Sequence, residues 1–442
     1  MLVVLMLASI SVNYISGIAM ASVSKKKLFS RIILVTAITI NLSFLFYYKY
    51  FNFFISNLLA VNIIKPSEYQ NVILPIGISF FTFQSISYLI DVYRKKTSEQ
   101  RNPFNLGLYI ALFPQLIAGP IIRYHDIAQQ IVQRTITTKL FTQGLIRFIR
   151  GLAKKIIIAN TAALIADRTF ALGINELPAS VAWLGIICYT FQIYFDFSGY
   201  SDMAIGLGKM LGFNYKENFN YPYISQSIRE FWTRWHISLT SWFRDYLFLP
   251  LALAVSGKFK SNKVFNIKSD VCIYIISMTV TWYLIGLWHG ASWNFVAWGL
   301  FNGFFIVVER FFYSKRLKKV YRPFRHIYTL LIITIAWVFF RIENLTESFE
   351  YLKCMAGFSN GDNYSPVMLL DNYKIFVLIM GIVFSMPVIP WLERNIQKLF
   401  SQKRTMMLAS KYMAYTAYIL LFIFSLMELA QSGYNPFIYF RF

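Results

Sequence analysis

Apolar runs recur along the whole of this 442-residue chain and constrain its fold more than any other feature. A helix of about 20 apolar residues crosses the roughly 30 Å hydrocarbon core of a bilayer. Backbone polar groups in lipid must be paired within the protein, which favours helices. We therefore predict an all-α, polytopic membrane protein with a single domain over residues 1–442 and roughly ten to eleven transmembrane helices. The runs lie near residues 2–21, 32–54, 72–92, 106–122, 179–198, 270–288, 291–309, 327–340, 373–391 and 411–430.

Composition supports a membrane protein and argues against a nucleic-acid-binding one. Only 14% of the residues are charged and 57% are hydrophobic, whereas soluble domains carry about 25% charged residues. The net charge of +23 would suit nucleic acid, but the cations fall in short clusters between apolar runs, as in cytoplasmic loops of membrane proteins. The three cysteines form no CxxC motif, so neither a disulfide framework nor a metal site is predicted.

The distribution of cations also predicts the orientation of the chain. Loops 55–71 and 342–372 are poor in Lys and Arg, which places them outside the cell, whereas the basic clusters face the cytoplasm. Both termini are then predicted outside. The first apolar run precedes its lysines, the reverse of a signal peptide, and is predicted to be a retained span. The basic clusters lie at 25–27, 94–101, 123–168, 209–268, 310–325 and 394–411.

Some segments make poor simple spans. The run 106–122 contains Pro114 and Pro120, which predicts a broken or re-entrant helix buried among others. Lys49 lies inside an apolar run, where a long lysine is expected to snorkel toward the interface. Segment 140–165 is expected to be an interfacial helix whose basic face touches anionic headgroups. Its four cations are Arg147, Arg150, Lys154 and Lys155.

Residues 228–246 show the spacing of one amphipathic helix. Phe231, Trp235 and Trp242 belong to an apolar stripe, and His236 belongs to a neighbouring polar stripe. The segment is aromatic, basic and too polar to span. It is therefore predicted to lie in the cytoplasmic face of the bilayer, with His236 open to a cytosolic donor.

His289 stands at the end of a strongly apolar run. An ionisable side chain at membrane depth indicates a functional site, and an apolar surround keeps imidazole neutral, as a general base requires. The alternation of loops places the following turn outside. Ser292 and Asn294 are polar neighbours that could fix the tautomer of His289.

The sequence motifs are compatible with few types of catalytic mechanism. The sequence has no G-x-S-x-G elbow and no HExxH motif, and IGLGKM has Met210 where a phosphate loop has Ser or Thr. What remains is a buried histidine that takes a proton from an alcohol as the alcohol attacks an activated acyl group. Asp196 and Asp202, with Ser198 and Tyr200, could orient a histidine, bind sugar hydroxyls or line a tunnel.

Longer motifs are distributed over most of the chain from about residue 30 onward. They are LPIGISFFTFQSISYLIDVYR (74–94), FPQLIAGPIIRY (113–124), GLAKK (151–155), YFDFSGYSDMAIGLGKMLGF (194–213), ENFNYPY (217–223), REFWTRWHISLTSWFRDYLFLPL (229–251) and GLWHGASWNFVAWGLFNG (286–303). The ending PFIYF (436–440) belongs with them. Together these motifs resemble the membrane-bound O-acyltransferase superfamily, and within it the alginate O-acetylation type.

The resemblance implies a helical bundle around a membrane tunnel. An acyl thioester enters from the cytosol, and an alcohol acceptor or a partner that relays the acyl group sits outside. It implies that the catalytic histidines are His289 and His236. Together with the spacing arguments, it suggests that the residues lining the substrate path are Asp196, Ser198, Tyr200, Asp202, Trp235, Arg244, Trp288, Ser292 and Asn294.

We therefore expect a multi-pass enzyme of the bacterial plasma (inner) membrane. It moves an acetyl group from acetyl-CoA, or from an acyl carrier thioester, to hydroxyls of an extracytoplasmic polysaccharide, with no bound cofactor and no metal. Three alternatives stay open at this point. They are D-alanyl or other acyl transfer from a carrier protein, transport of a polysaccharide or acyl group without catalysis, and relay of the acetyl group to a periplasmic partner.

Overall fold

A computed structural model describes residues 2–63, 71–117, 119–259, 263–264, 267–358, 361, 364–400, 403–431 and 437. Of the PFIYF ending, only Phe437 lies within these residues, and loop 342–372 is described in part. The all-α prediction is confirmed. The strands in the described part are a two-residue antiparallel pair, Lys263–Val264 and Ile267–Lys268.

Twenty-two α-helices follow one another in the described part of the chain. They are α1 (Leu2–Ser22), α2 (Lys27–Leu45), α3 (Phe51–Ala60), α4 (Ile78–Tyr93), α5 (Pro103–Ala111), α6 (Phe113–Leu116), α7 (Tyr124–Val132), α8 (Thr138–Ala153), α9 (Asn160–Phe170), α10 (Ala179–Met210), α11 (Ile228–Arg234), α12 (Ile237–Phe243), α13 (Leu249–Ser256), α14 (Ser269–His289), α15 (Trp293–Val308), α16 (Ser314–Leu317), α17 (Arg322–Arg341), α18 (Leu345–Met355), α19 (Pro366–Leu369), α20 (Asn372–Phe384), α21 (Val388–Phe400) and α22 (Arg404–Gln431). Wider π-helical turns occupy Phe46–Tyr50, Lys154–Ala159, Arg244–Phe248 and Glu309–Tyr313, and 3₁₀ turns occupy Ile174–Glu176 and Pro222–Ile224.

Fewer helices are long and apolar enough to cross a bilayer than the sequence predicts. The described residues contain seven, or eight if α20 and α21, which meet at 66°, form one bent span. Helix α4 has only 16 residues. The run 106–122 is divided, because Leu112 is extended between α5 and α6. The seven are Val3–Ser22, Lys27–Ala60, Ala179–Met210, Ser269–His289, Trp293–Leu317, Arg322–Arg341 and Arg404–Gln431.

Helix α10 is the centre of the larger core. Most of its 32 residues are buried, as expected for a helix surrounded by protein. The aromatic side chains of α11, α14, α15 and α17 pack in the same core. A second, smaller core lies among α1, α2, α4, α5 and α7. The larger core therefore carries the segment 192–294 that holds both candidate histidines.

Helix α8 packs against α10, and the four cations of segment 140–165 pair with carboxylates of the protein, so the prediction that they touch headgroups is wrong. Gly144 and Gly151 face Gly206 and Gly199, where any Cβ would come within 3 Å of the opposite backbone. This close approach turns the basic face of the segment toward carboxylates of the protein. Arg147 pairs with Asp202 and Glu217, Arg150 with Glu393, Lys154 with Asp202, and Lys155 with Asp196.

The α14–α15 hairpin depends on a similar glycine contact. A Cβ on Gly286 would lie 2.3 Å from the Phe295 carbonyl oxygen. We expect Gly286→Ala to force the helices apart and to cost about 1–3 kcal/mol, which lowers the thermal denaturation midpoint of the purified protein. Gly107→Ala in α5 is the matched control, because nothing lies within 4 Å of its Cβ position. Equal midpoints for the two variants would contradict this packing.

Candidate active site

His236 lies at a break between two short helices, so the prediction of one continuous helix over 228–246 is wrong. Helix α11 ends at Arg234, Trp235 is extended, and His236 adopts a left-handed conformation with φ 44° and ψ 53°. The break turns the His236 side chain into the protein, where the residue is only 1% exposed. His236 therefore does not sit on an interfacial helix open to the cytosol, and the interior core holds it.

Asn218 determines which nitrogen of His236 carries the proton. Its Oδ1 atom accepts hydrogen bonds from the Ser238 backbone N–H at 3.1 Å and from the Ser238 hydroxyl at 2.8 Å. Because a backbone N–H can only donate, the Asn218 oxygen must face this side. His236 Nδ1, 3.1 Å from the same oxygen, is then the donor. The lone pair of the imidazole is on Nε2, which has no hydrogen-bond partner in the described part of the chain.

Aromatic rings enclose His236. The ring of Phe197 lies 4.6 Å from the imidazole, centroid to centroid, and is nearly perpendicular to it, and Phe219 stacks at 6.4 Å. Burial in this apolar surround lowers the pKa of His236 to about 3, because desolvation disfavours the imidazolium. His236 is therefore neutral at physiological pH.

His289 is the last residue of α14, and the residue is 5% exposed. The rings of Trp298 and Phe340 lie 4.9 Å and 5.2 Å from its imidazole. Trp288 contacts both histidines, at 4.9 Å from His289 and 6.2 Å from His236. The two histidines therefore flank one indole, although they are 53 positions apart in the sequence.

His289 lines one cavity, and residues next to His236 line another. His289 and Trp288 line a small cavity of about 100 Å³ together with Lys49, Ser79 and the segment 74–78. Helix α14 runs from a basic loop to His289, and the charge pattern predicts that this cavity faces the extracytoplasmic side. We call it the outer pocket.

The second cavity, of about 730 Å³, lies on the side of the basic segments. Its inner wall includes Phe219, which stacks on His236, and Ile237, which follows it in the chain. We call it the inner cavity. Its polar wall consists of Arg147, Arg150, Lys154, Asp202 and Glu217, and its apolar wall comes mainly from α20, α21 and α22 through Phe376, Met380, Phe384, Ile389, Leu421 and Phe424.

Comparison with known proteins shows the family of the chain. Residues 32–349 match the model of MBOAT, the membrane-bound O-acyltransferase family. The chain belongs to this family. It is 37% identical to the probable alginate O-acetylase AlgI of Azotobacter vinelandii, over 97% of this chain and 89% of the relative. It is 34% identical to the peptidoglycan O-acetyltransferase of Helicobacter pylori, over 80% of this chain and 70% of the relative.

A relative of lower sequence identity is named for a different acyl group, D-alanyl. The chain is 29% identical to the teichoic acid D-alanyltransferase of Bacillus subtilis, over 61% of this chain and 67% of the relative. The family and these relatives identify the chain as a multi-pass membrane O-acyltransferase, an enzyme.

The acidic residues predicted along the substrate path of this O-acyltransferase take part in ion pairs. Asp196 is buried and pairs with Lys155. Asp202 accepts from Arg147 and Lys154 at 2.6–2.8 Å and also lines the inner cavity. Of the three roles considered for Asp202, the geometry favours lining a cavity, because its oxygens face cations and not a histidine.

Ser198, Tyr200 and Trp235 are packing residues of the core. Ser198 is buried on α10, and the Tyr200 ring lies 4.8 Å from that of Phe437. Trp235 is 2% exposed and lies 5.1 Å from the Trp337 ring. These contacts place the three side chains in the walls around the O-acyltransferase histidines.

Arg244, Ser292 and Asn294 lie outside the histidine cluster. Arg244 is exposed and pairs with Asp245 at 2.7 Å. Ser292 precedes the first turn of α15. The Asn294 amide donates to the Ile342 carbonyl at 2.6 Å and to the Ser348 hydroxyl at 2.9 Å. Asn294 thus uses its amide donors to tie α15 to Ile342, at the end of α17, and to Ser348 of α18.

Two residues of the site were missed by the sequence reasoning. Asn218 lies within the quoted ENFNYPY motif, but no periodicity relates it to His236 across 18 positions. Lys49 does not snorkel to the interface as predicted. Its ammonium donates to the Trp288 carbonyl and, at 3.3 Å, to the Ser79 hydroxyl. Asn218 bonds to His236 and Lys49 lines the outer pocket with His289, but neither residue neighbours its histidine in the sequence.

Proposed function

We propose that this O-acyltransferase moves an acetyl group from a cytosolic thioester, acetyl-CoA, to hydroxyls of an extracytoplasmic polysaccharide. The enzyme would act in the plasma (inner) membrane of a bacterium. The observation that carries the proposal is the placement of His289 on the outer pocket, with the Trp288 indole between it and His236, whose neighbours Phe219 and Ile237 line the inner cavity. The O-acetylating relatives support acetyl as the group transferred.

His289 acts as the general base in this proposal. It takes the proton of the acceptor hydroxyl, whose oxygen forms a bond to the acyl carbon as the carbon–sulfur bond breaks. The departing thiolate takes up a proton and leaves as the thiol, so the transfer is balanced without a bound cofactor or metal. A positioned imidazole contributes about 10²–10⁴-fold, and alignment of donor and acceptor must supply much of the rest.

The inner cavity fits the thioester arm better than it fits free phosphates. Its three cations already face carboxylates, since Arg147, Arg150 and Lys154 are all paired. Its long apolar wall, and Phe219, which lies between it and His236, suit an extended chain that ends near Trp288. We propose that His236 lines the end of this donor path.

The experiment is to supply acetyl-CoA with a labelled acetyl group to the full-length protein in proteoliposomes, with a soluble polysaccharide on the opposite side. We expect label in ester linkage on the polysaccharide. A D-alanyl or other carrier-dependent enzyme would ignore acetyl-CoA and require a charged carrier protein. Label that appears only on an added periplasmic partner would indicate relay. Absence of acyl transfer from any thioester would contradict the proposal.

A further inference from the structure

A third cavity, of about 1190 Å³, opens between the α1–α2 connection and the loop that follows α4. Among the described residues, it shares no lining residue with the outer pocket or the inner cavity. Both α1 and α2 belong to segments long and apolar enough to cross a bilayer, and the cavity lies where α1 ends and α2 begins, which is the level of a membrane interface. The charge pattern predicts that this interface is the cytoplasmic one. We call the cavity the hairpin pocket.

Hydrogen bonds and close packing tie the walls of the hairpin pocket together. The Tyr14 hydroxyl on α1 donates to the Arg101 carbonyl at 2.8 Å, and the Gln100 N–H donates to the Tyr88 hydroxyl on α4 at 3.0 Å. Tyr88 in turn lies against α1 at Gly17, where a Cβ would come 2.5 Å from the Tyr88 hydroxyl. The loop after α4 is therefore held against both helices, and it forms a defined wall of the pocket.

The hairpin pocket carries an excess of positive charge. Five cations and one carboxylate line it, and the carboxylate, Glu99, pairs with Arg101 at 2.9 Å. In segment 140–165, by contrast, each cation faces a carboxylate. No ion pair in the part of the chain that the structure describes involves the other four cations of the pocket, which are Lys25, Lys27, Lys95 and Lys96.

Lys95 occupies a backbone position that favours glycine. It follows the last turn of α4 with φ 57°. Its N–H donates to the Val92 carbonyl at 3.0 Å, and the Lys96 N–H donates to the Asp91 carbonyl at 2.9 Å, a pattern that ends many helices and usually has glycine in the left-handed position. A side chain there strains the backbone, and strained residues often occur at functional sites. Lysine is therefore unfavourable for the turn itself, but it brings a charge to the pocket.

Apolar surface adjoins these cations. Ile18, Met20 and Val92 line the pocket beside the lysines. Large apolar side chains at the same ends of α1 and α2 are exposed, and they are Ile15, Ile18, Leu28, Phe29 and Ile32. A soluble phosphate would contact only the cations. A ligand that matches both surfaces has an anionic head and long apolar chains.

We propose that the hairpin pocket binds an anionic phospholipid of the cytoplasmic leaflet. The headgroup phosphate lies among the four lysines, and the acyl chains lie along α1 and α2. Basic pockets between membrane helices on the cytoplasmic side are suited to such headgroups. The site goes beyond the proposed acyl transfer, because it contains neither histidine and neither cavity beside them.

The test measures lipid binding and does not depend on acyl transfer. Full-length protein in a neutral detergent is titrated with phosphatidylglycerol or with phosphatidylcholine, and the bound lipids are counted by native mass spectrometry. We expect the first phosphatidylglycerol to bind at least about tenfold more tightly than phosphatidylcholine, with a preference that weakens as salt is raised. Glycerol 3-phosphate, the soluble headgroup fragment, should not displace the lipid at equal concentration.

Paired substitutions locate the site. We expect Lys95→Gly with Lys96→Gln to weaken the binding of phosphatidylglycerol at least about tenfold, because two charges that face the headgroup are removed. Glycine relieves the strain at position 95, so this loss comes without a lower thermal midpoint. Lys95→Arg with Lys96→Arg keeps the binding. Lys318→Gln with Lys319→Gln is the matched control, because it removes an equal charge from an exposed pair after α16, outside the pocket.

Four results would overturn the proposal. They are equal binding of the two lipids by the wild type, unchanged binding after substitution of Lys95 and Lys96, an equal loss in the Lys318 and Lys319 control, and displacement of the lipid by glycerol 3-phosphate at equal concentration. The last result would indicate a site for a soluble phosphate.

Discussion

We expect replacement of His289 by Gln or Ala to abolish acyl transfer by the purified protein. This substitution is the most decisive test of the mechanism. The loss is at least about 10²–10⁴-fold, the usual contribution of a positioned general base. We expect this loss because His289 is the histidine that lines the outer pocket, beside Trp288. The measurement is the initial rate of label transfer at saturating thioester. Gln is the better replacement, because Ala leaves a cavity among Trp298 and Phe340.

The matched control for His289 is His326. It is part-buried, and its Nδ1 lies 3.1 Å from the Ser225 carbonyl, away from both cavities. We expect His326→Gln to transfer acyl groups at the wild-type rate. A His289→Gln protein that retains both its thermal midpoint and its transfer rate would remove His289 from the mechanism.

The second large effect is expected at Asn218. Asn218→Leu removes the acceptor that holds His236 with its proton on Nδ1 and leaves the Ser238 N–H unpaired in the core. We expect transfer to fall roughly 10- to 100-fold, the usual effect of removing a partner that orients a functional imidazole. The rate at saturating acceptor measures this loss.

Asn218→Asp separates positioning from packing. The carboxylate still accepts from Ser238 and from His236, but its negative charge stabilises the imidazolium and raises the pKa of His236 from about 3. Activity that needs neutral His236 is lost as pH falls through this pKa, so an acidic limb of the pH–rate profile should move upward toward neutral pH.

Asn214→Asp is the control for this shift. Asn214 is exposed in the same connection after α10, where an added charge is screened by water. We expect its pH–rate profile to match the wild type. An unchanged profile in Asn218→Asp, together with normal folding, would show that Asn218 does not act through His236.

The residues predicted along the substrate path show which features of the structure residue spacing predicts and which it does not. His289 was singled out because a lone ionisable group ends an apolar run, and the run is indeed the helix α14. The prediction of one helix over 228–246 is wrong because the apolar residues keep helical spacing on both sides of the break. Residue spacing alone therefore does not reveal the break. Trp235 and His236 leave the helical region there, and a backbone bond from Ile237 to Asn218 helps to hold the break.

The charged residues of segment 140–165 show a second limit. Their spacing is that of an interfacial helix, and sequence alone cannot tell a headgroup from a carboxylate on another helix. The glycines that bring α8 onto α10 decide the matter. Asp196 and Asp202 then neutralise the cations within the protein.

By itself, the sequence determined that this chain is an all-α membrane protein and which histidine ends an apolar run. These features follow from the length and polarity of contiguous segments, which the bilayer selects directly. Only the tertiary structure decided that His236 and His289 flank Trp288. It also decided that Asn218 bonds to His236 and that Lys49 bonds to the Trp288 carbonyl. Such contacts join distant segments through packing and hydrogen bonds, and no local pattern encodes them.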